Sequence, residues 1–411
     1  MSLVISGCGV IHREGEWDIK IKDGKIVEIG EGLNGTEVLD GKGKYVSPGF
    51  VNTHTHGAMT LLRGYADDLP LQEWLMNKIW PLEAKLKEED VYWGTRLACL
   101  EMIKTGTVAF NDMYFFMEAA ARAVEDSGIK ATLSHGIIDM GDPDRLEREK
   151  DTTLGFIRKV KGMENINPGL GPHSVYTVSR EGLEWCGEIS RKKGIPLHIH
   201  IAETRKEVED HEKKHSVSVT EYLDELGVLG ERTIGAHCVW LEKKDIELMG
   251  ERGMTVSHCP VSNMKLGVGK PMEYGLMRDS GVNVTLGTDG CASNNSLDML
   301  EEAKVAALLQ KLRGDTTLLT AEEAYGMLIR DSLGTCGGAV EKGMSADLIL
   351  IERGVPDHDP VSDMIYSLNG HAVTDTVVNG KILMRDRMVE GEDEIREKAS
   401  YHARNLVSEV L

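Results

Sequence analysis

The fold turns on the stretch Gly49-Phe50-Val51-Asn52-Thr53-His54-Thr55-His56-Gly57. Val51 to His56 has the composition of a strand, and residues two apart on a strand project from the same face. His54 and His56 therefore leave the strand end together, and Gly57 stops the run. Neutral imidazole is the commonest protein ligand for a metal. A lone strand histidine is better read as a buried, hydrogen-bonded one. This pair, at ligand spacing, is better read as half of a metal site.

Outward from this strand the chain alternates strand with helix. Strand candidates are Val51–His56, Thr107–Asp112, Lys130–Gly136, Asn167–His173, Pro196–Ala202, Thr233–Cys238, Met254–His258 and Val282–Asp289. Helical patterns such as Glu88–Thr105, Phe116–Ser127, Arg180–Lys193, Val217–Leu226 and Lys243–Glu251 separate them. This alternation predicts an α/β fold, a (β/α)8 TIM-like barrel over residues 49–344, with chemistry at the C-terminal strand ends. An open doubly wound sheet is the alternative, weakened because no Gly-rich phosphate fingerprint follows the first strand. Thr60–Pro81, with Trp74 and Trp80, reads as loop and short helix over the barrel mouth. Strand-like runs fill both ends of the chain: Leu3–Gly7, Trp17–Ile21 and Lys25–Ile29, then Asp347–Ile351, Asp375–Gly380 and Lys381–Met384. Asp23-Gly24 and Asn379-Gly380 mark hairpin turns between them. Residues 1–48 and 345–411 are therefore expected to form one small composite β domain, closed by a helix from Glu392 to Leu411. Two unrelated hairpins packed on the barrel are the alternative.

If strands end at the chemistry, their last residues should carry it. The ends read His54 and His56, Gly171-Pro172-His173, His198-Ile199-His200 with Glu203 beyond, Ala236-His237-Cys238, Ser257-His258-Cys259 and Gly287-Thr288-Asp289. His54, His56, His200 and Asp289 form a nitrogen- and oxygen-rich set for one divalent metal. Zinc fits that set best, with iron, manganese or nickel as substitutes. His198 lies one layer deeper on the same face as His200 and reads as structural, and His258 is read the same way. His211 and His215 are spaced i, i+4 in a charged run and read as a solvated helix face.

Composition narrows the partners. The formal net charge of −20 repels phosphate backbones, so nucleic acid is an unsuitable partner. Seven widely spaced cysteines without a C-x-x-C fit reduced thiols in a cytoplasm. No signal peptide and no run long enough to cross a bilayer is visible, so no membrane role is expected. The zinc deaminases with an H-x-E and P-C-x-x-C signature are excluded, since Cys259-Pro260 has the reverse order.

The placement of H-x-H on strand one, histidines on strands five and six, and aspartate on strand eight resembles the amidohydrolase superfamily. P-G-F-V-N-T-H-T-H-G, G-P-H-S, H-I-H-I-A-E-T, A-H-C-V, S-N-M-K-L-G and L-G-T-D-G-C-A-S-N-N-S resemble more closely its family that deaminates S-adenosylhomocysteine, 5′-methylthioadenosine and 5′-deoxyadenosine. The resemblance covers essentially the whole chain. It implies hydrolytic deamination of a nucleoside substrate, with Glu203 as proton donor to the ring and His237 and Asp289 handling the water's protons. It also implies that Glu83 holds the ribose hydroxyls and that His173 contacts the nucleoside; Trp74 is a candidate wall of the adenine pocket. Binuclear superfamily members carry a bridging lysine at the end of strand four; His173 stands there in this chain, which favours one metal. Some family members have an arginine at the end of strand three that meets the homocysteine carboxylate. This chain has His135 there, and Arg145 matches a second arginine of that pocket. The departure shifts the expected preference toward 5′-deoxyadenosine and 5′-methylthioadenosine. A homo-oligomer, dimer or tetramer, is also implied. The alternatives are a guanine or other nucleobase deaminase, a triazine-type chlorohydrolase, or a non-catalytic metal-binding scaffold.

Overall fold

The computed structural model describes residues 2–69, 71–332 and 334–409. Five strands come first: β1 (Ser2–Val10), β2 (Arg13–Lys22), β3 (Lys25–Gly30), β4 (Glu37–Asp40) and β5 (Lys44–Pro48). The middle supplies β6 (Phe50–Thr55), β7 (Thr107–Tyr114), β8 (Lys130–Ile137), β9 (Ile166–Pro172), β10 (Leu197–Ile201), β11 (Thr233–His237), β12 (Thr255–His258) and β13 (Asn283–Leu286). The last three are β14 (Leu348–Glu352), β15 (Val373–Val378) and β16 (Lys381–Met384).

Strands β6 to β13 make one parallel sheet in sequence order, a nearly closed TIM-like barrel. Their residues are buried almost throughout, as parallel strands covered by helices must be. The seam between β13 and β6 is closed by individual hydrogen bonds. Asp289 N donates to His54 O at 2.9 Å, Thr53 Oγ1 to Leu286 O at 2.8 Å, and Thr288 N to Asn52 Oδ1 at 3.1 Å. The first of these ties two residues of the expected metal set to one another through the backbone.

The two chain ends meet in a second, mixed sheet of order β16-β15-β14-β5-β1-β2-β3, with β4 beside β1. Strand β14 runs antiparallel to β5, from Leu348 opposite Pro48 to Glu352 opposite Lys44. The expected joining of the termini is therefore what the sheet shows, rather than separate hairpins. A buried ion pair, Lys130 Nζ to Asp347 Oδ2 at 2.7 Å, links the start of β8 to the residue before β14. The closing helix, Glu392–Ser408, packs on the barrel helix Glu88–Lys104 through Lys104–Glu392 and His402–Asp90 contacts. The expectation for that helix runs to Leu411, but residues 410 and 411 lie outside the described residues. Among the described residues, no helix is long and apolar enough to cross a membrane.

Candidate metal centre and substrate cavity

His54 comes from β6, His56 follows it, His200 comes from β10, and Asp289 lies three residues past β13. His54, His56 and His200 offer nitrogens within 4.8 Å of one another, as do His54, His237 and Asp289 with a carboxylate oxygen. Asp289 Oδ1 is 3.3 Å from both His54 Nε2 and His56 Nε2.

Whether this set suits a cation depends on where the protons are. His56 Nδ1 lies 2.6 Å from Met113 O, and His200 Nδ1 lies 2.8 Å from His173 O. A carbonyl can only accept, so both Nδ1 atoms carry the proton, and in the neutral ring each Nε2 then carries the lone pair. Those two Nε2 atoms face each other at 3.3 Å. His54 Nδ1 bonds His198 Nε2 at 2.7 Å, and His54 Nε2 is buried without a hydrogen-bond partner among the described residues. Converging lone pairs and an orphaned buried nitrogen beside a carboxylate fit the donor set a divalent metal requires. Burial lowers His54 to about 4 and holds His200 well below its ordinary range, which favours the neutral form that a metal would require of each. Burial works against the Asp289 charge, but contact with His54 and the nearby His56 and His237 keep that carboxyl well below its usual range. Its second oxygen accepts from Ser262 Oγ at 2.6 Å and Ser293 Oγ at 2.7 Å.

Three strand ends finish on residues with left-handed backbone. Ala202 has φ of 49°, His237 68°, Cys238 50° and Asp289 60°. For residues with a Cβ this conformation costs about 1–2 kcal/mol and concentrates at functional sites. Here it turns the chain sharply where Glu203, His237 and Asp289 enter the cavity. Glu203 is nine-tenths buried, and burial raises its carboxyl. His237 Nε2 stands 4.0 Å from Glu203 Oε2, while its Nδ1 bonds Asn263 Oδ1 at 2.8 Å. Burial opposes a proton on His237, but Glu203 and Asp289 outweigh it and raise the imidazole.

These groups floor a cavity with about 690 Å³ of free space. Glu83, His173, Trp74, Trp80, Phe115, Ile138 and Tyr176 line it as well, and among the described residues no lysine or arginine does. Burial pushes the Glu83 carboxyl up to about 7, against the pull of neighbouring Tyr114. Short helical turns over Leu71–Glu83 carry Trp74, Trp80 and Glu83 to the mouth, in keeping with the covering segment expected there.

The remaining expected residues are placed elsewhere. His135 points out of the barrel, away from its neighbour Gly136, which lines the cavity. Its Nε2 meets Glu149 Oε2 at 2.5 Å, and Arg145 reaches the same carboxylate at 3.7 Å from a partly exposed position. The cavity lining includes neither of them. His198 supports His54 from below. His258 is buried, with neither ring nitrogen partnered among the described residues, and faces a separate cavity. His211 corrects the expectation of a solvated pair: it is buried, its ring 4.9 Å from Tyr222 and 4.6 Å from His215. Ser262, Ser293 and Asn263, which fix Asp289 and His237, received no role from the sequence. They sit in S-N-M-K and S-N-N-S, within seven residues of the ends of β12 and β13, and that nearness to strand ends is the available signal.

Residues 45–383 match the model of the Amidohydrolase family. A 5′-deoxyadenosine deaminase of Methanoregula boonei is 51% identical over 90% of this chain and 86% of its own length. A 5-methylthioadenosine/S-adenosylhomocysteine deaminase of Archaeoglobus fulgidus is 46% identical over 95% of both chains. Among solved structures, an adenosine deaminase from Xanthomonas campestris with bound zinc superimposes with a TM-score of 0.93, at 31% identity, over 99% of this chain and 98% of that one.

Proposed function

The chain belongs to the amidohydrolase family, and from that premise we propose that it is a zinc-dependent deaminase of 5′-substituted adenosines, releasing the inosine analogue and ammonia. The observation that carries this reading is one cavity lined both by Glu203, His237 and Asp289 and by Glu83. The first three suit attack on a purine ring; a second carboxylate suits the vicinal diol of a ribose. The names of the similar deaminases support the same assignment.

His54, His56, His200 and Asp289 would hold the metal, which when bound lowers the pKa of water from 15.7 to about 7. The protein's own groups do the rest. Glu203, whose carboxyl burial raises, donates to the ring nitrogen next to the carbon bearing the amino group. That proton lets the ring accept electrons as water's oxygen adds to the carbon. Asp289 and His237 take the two protons the water gives up and pass one to the amino group, which leaves as ammonia, and one back to Glu203, which is restored. Asn263 keeps the His237 Nδ1 proton in place, so Nε2 is the atom that faces Glu203. Glu83 accepts both ribose hydroxyl hydrogens, while Trp74, Trp80 and Phe115 exclude water around the nucleoside.

A cavity lined, among the described residues, by no lysine or arginine favours an uncharged 5′ end, and hence 5′-deoxyadenosine or 5′-methylthioadenosine over S-adenosylhomocysteine. Seven thiols, none in a disulfide, suit a reducing cytoplasm. Exposed Met76, Met140 and Tyr176 share one groove beside the mouth, an apolar surface suited to contact between copies in a homo-oligomer. The direct test is loss of adenine ultraviolet absorbance with zinc-loaded protein. The substrates are 5′-deoxyadenosine, 5′-methylthioadenosine, S-adenosylhomocysteine, adenosine and free adenine. Turnover of the nucleosides with little of adenine is expected; silence on all five overturns the reading.

A further inference from the structure

We propose that Glu207 is the positioning residue for Glu203: its carboxylate clamps the backbone turn that aims the proton donor into the cavity, an assignment that rests on the deaminase reading above. Glu207 is buried, in the first turn of the helix Arg205–His215, whose N-cap is Thr204. A glutamate at this place in a helix ordinarily reaches back to the N-cap N–H, completing a capping box. Glu207 passes over Thr204 instead. Its Oε1 accepts from Ala202 N at 3.0 Å and its Oε2 from Glu203 N at 2.9 Å.

Those two amides belong to the turn that leaves β10. Ala202 is left-handed there, with φ of 49°. The opposite side of the same turn is also held, because Ala202 O accepts from Val239 N at 3.1 Å and Trp240 N at 2.8 Å. Strand β10 ends at Ile201, so nothing in the barrel ladder fixes Glu203 itself. The direction of its side chain is set by the peptide that Glu207 grips on one side and the Val239-Trp240 amides grip on the other. Both oxygens of a carboxylate are needed to take two consecutive N–H groups. An amide side chain offers one acceptor and turns an N–H₂ donor toward the other N–H. Misplacement of a reacting group by about 1 Å costs on the order of 10²-fold in rate.

The experiment compares wild type, Glu207→Gln and the double variant Ala202→Gly/Glu207→Gln, each zinc-loaded. The readouts are kcat and KM on 5′-deoxyadenosine, metal content, and amide hydrogen exchange at residues 202 and 203. Glu207→Gln is expected to lower kcat about 10–100-fold, with KM and metal content close to wild type. Exchange at the two amides should quicken about tenfold or more, while the other barrel strands stay unchanged. Glycine at 202 adopts the left-handed turn without the clamp, so the double variant should regain most of the lost kcat. Should Glu207→Gln not fold, Glu207→Asp, too short to reach both amides, supplies the same comparison. A wild-type kcat in Glu207→Gln, a loss confined to KM or metal content, or no recovery on adding glycine at 202 overturns the assignment. Inactive wild-type protein would overturn the deaminase reading instead, and the exchange measurement would still test the clamp.

Discussion

His56 and His200 present their Nε2 atoms to each other at 3.3 Å, each with its Nδ1 proton committed to a backbone carbonyl. Two lone pairs held this close repel unless a cation lies between them. His200→Ala should therefore take up well under one metal ion per chain, by elemental analysis, where wild type takes up one. Its kcat/KM should fall by at least about 10³-fold. Full activity in the metal-poor variant would separate the histidine cluster from the reaction.

Glu203 touches none of the four expected ligands through a hydrogen bond and enters the cavity from its own turn. Glu203→Gln should keep its metal and lose about 10²–10⁴-fold in kcat. Steady-state kinetics and elemental analysis on one sample separate this result from metal loss.

Glu83 makes a pH prediction. Its carboxyl is raised to about 7 by burial, and only the ionised form accepts both hydrogens of a diol. Acidifying from pH 8 to pH 6 protonates it, so KM for 5′-deoxyadenosine should rise as pH falls through about 7. Glu83→Gln should raise KM about 10–100-fold, the worth of a hydrogen bond to a charged group, and flatten that pH dependence. A KM insensitive to both changes would remove Glu83 from ribose recognition.

Arg145 and His135 share Glu149 outside the cavity. With no lysine or arginine in its lining among the described residues, the cavity should favour 5′-deoxyadenosine over S-adenosylhomocysteine by about tenfold or more in kcat/KM, one charge-assisted contact's worth. The reverse ranking would mean that these side chains swing inward on binding.

What the sequence discloses and what it hides follow from geometry. His54, His56, His200 and Asp289 are legible because strand parity and strand ends are local properties. His135 shows the limit of that reading: its place at a strand end is visible, but its outward direction depends on the parity that sends Gly136 inward. Ser262, Asn263 and Glu207 act through hydrogen bonds to other strand ends or to an adjacent turn. Nothing in their own spacing announces such partners. His211, in a run of charges, is buried by Tyr222 from the next helix, a tertiary contact that helical periodicity does not report.

Lys130 and Asp347 form a buried pair between barrel and small sheet, with Asp347 Oδ1 also accepting from Asn379 N at 2.9 Å. Lys130→Met leaves Asp347 charged and unpaired. Chemical denaturation should show a loss of about 3–5 kcal/mol, with kcat per folded molecule unchanged, because the pair lies at the strand starts and the chemistry at their ends. A loss below about 1 kcal/mol would mean that water replaces the lysine.

The pairing of β5 with β14 also sets a timetable for biosynthesis. A ribosome delivers Lys44–Pro48 some three hundred residues before Leu348–Glu352, an interval on the order of 15–60 s at ordinary rates of synthesis. Throughout that wait β5 has an open edge, and the whole barrel must emerge before the strand that covers it. The nascent chain therefore carries an open strand edge near its beginning until Leu348–Glu352 has emerged to cover it.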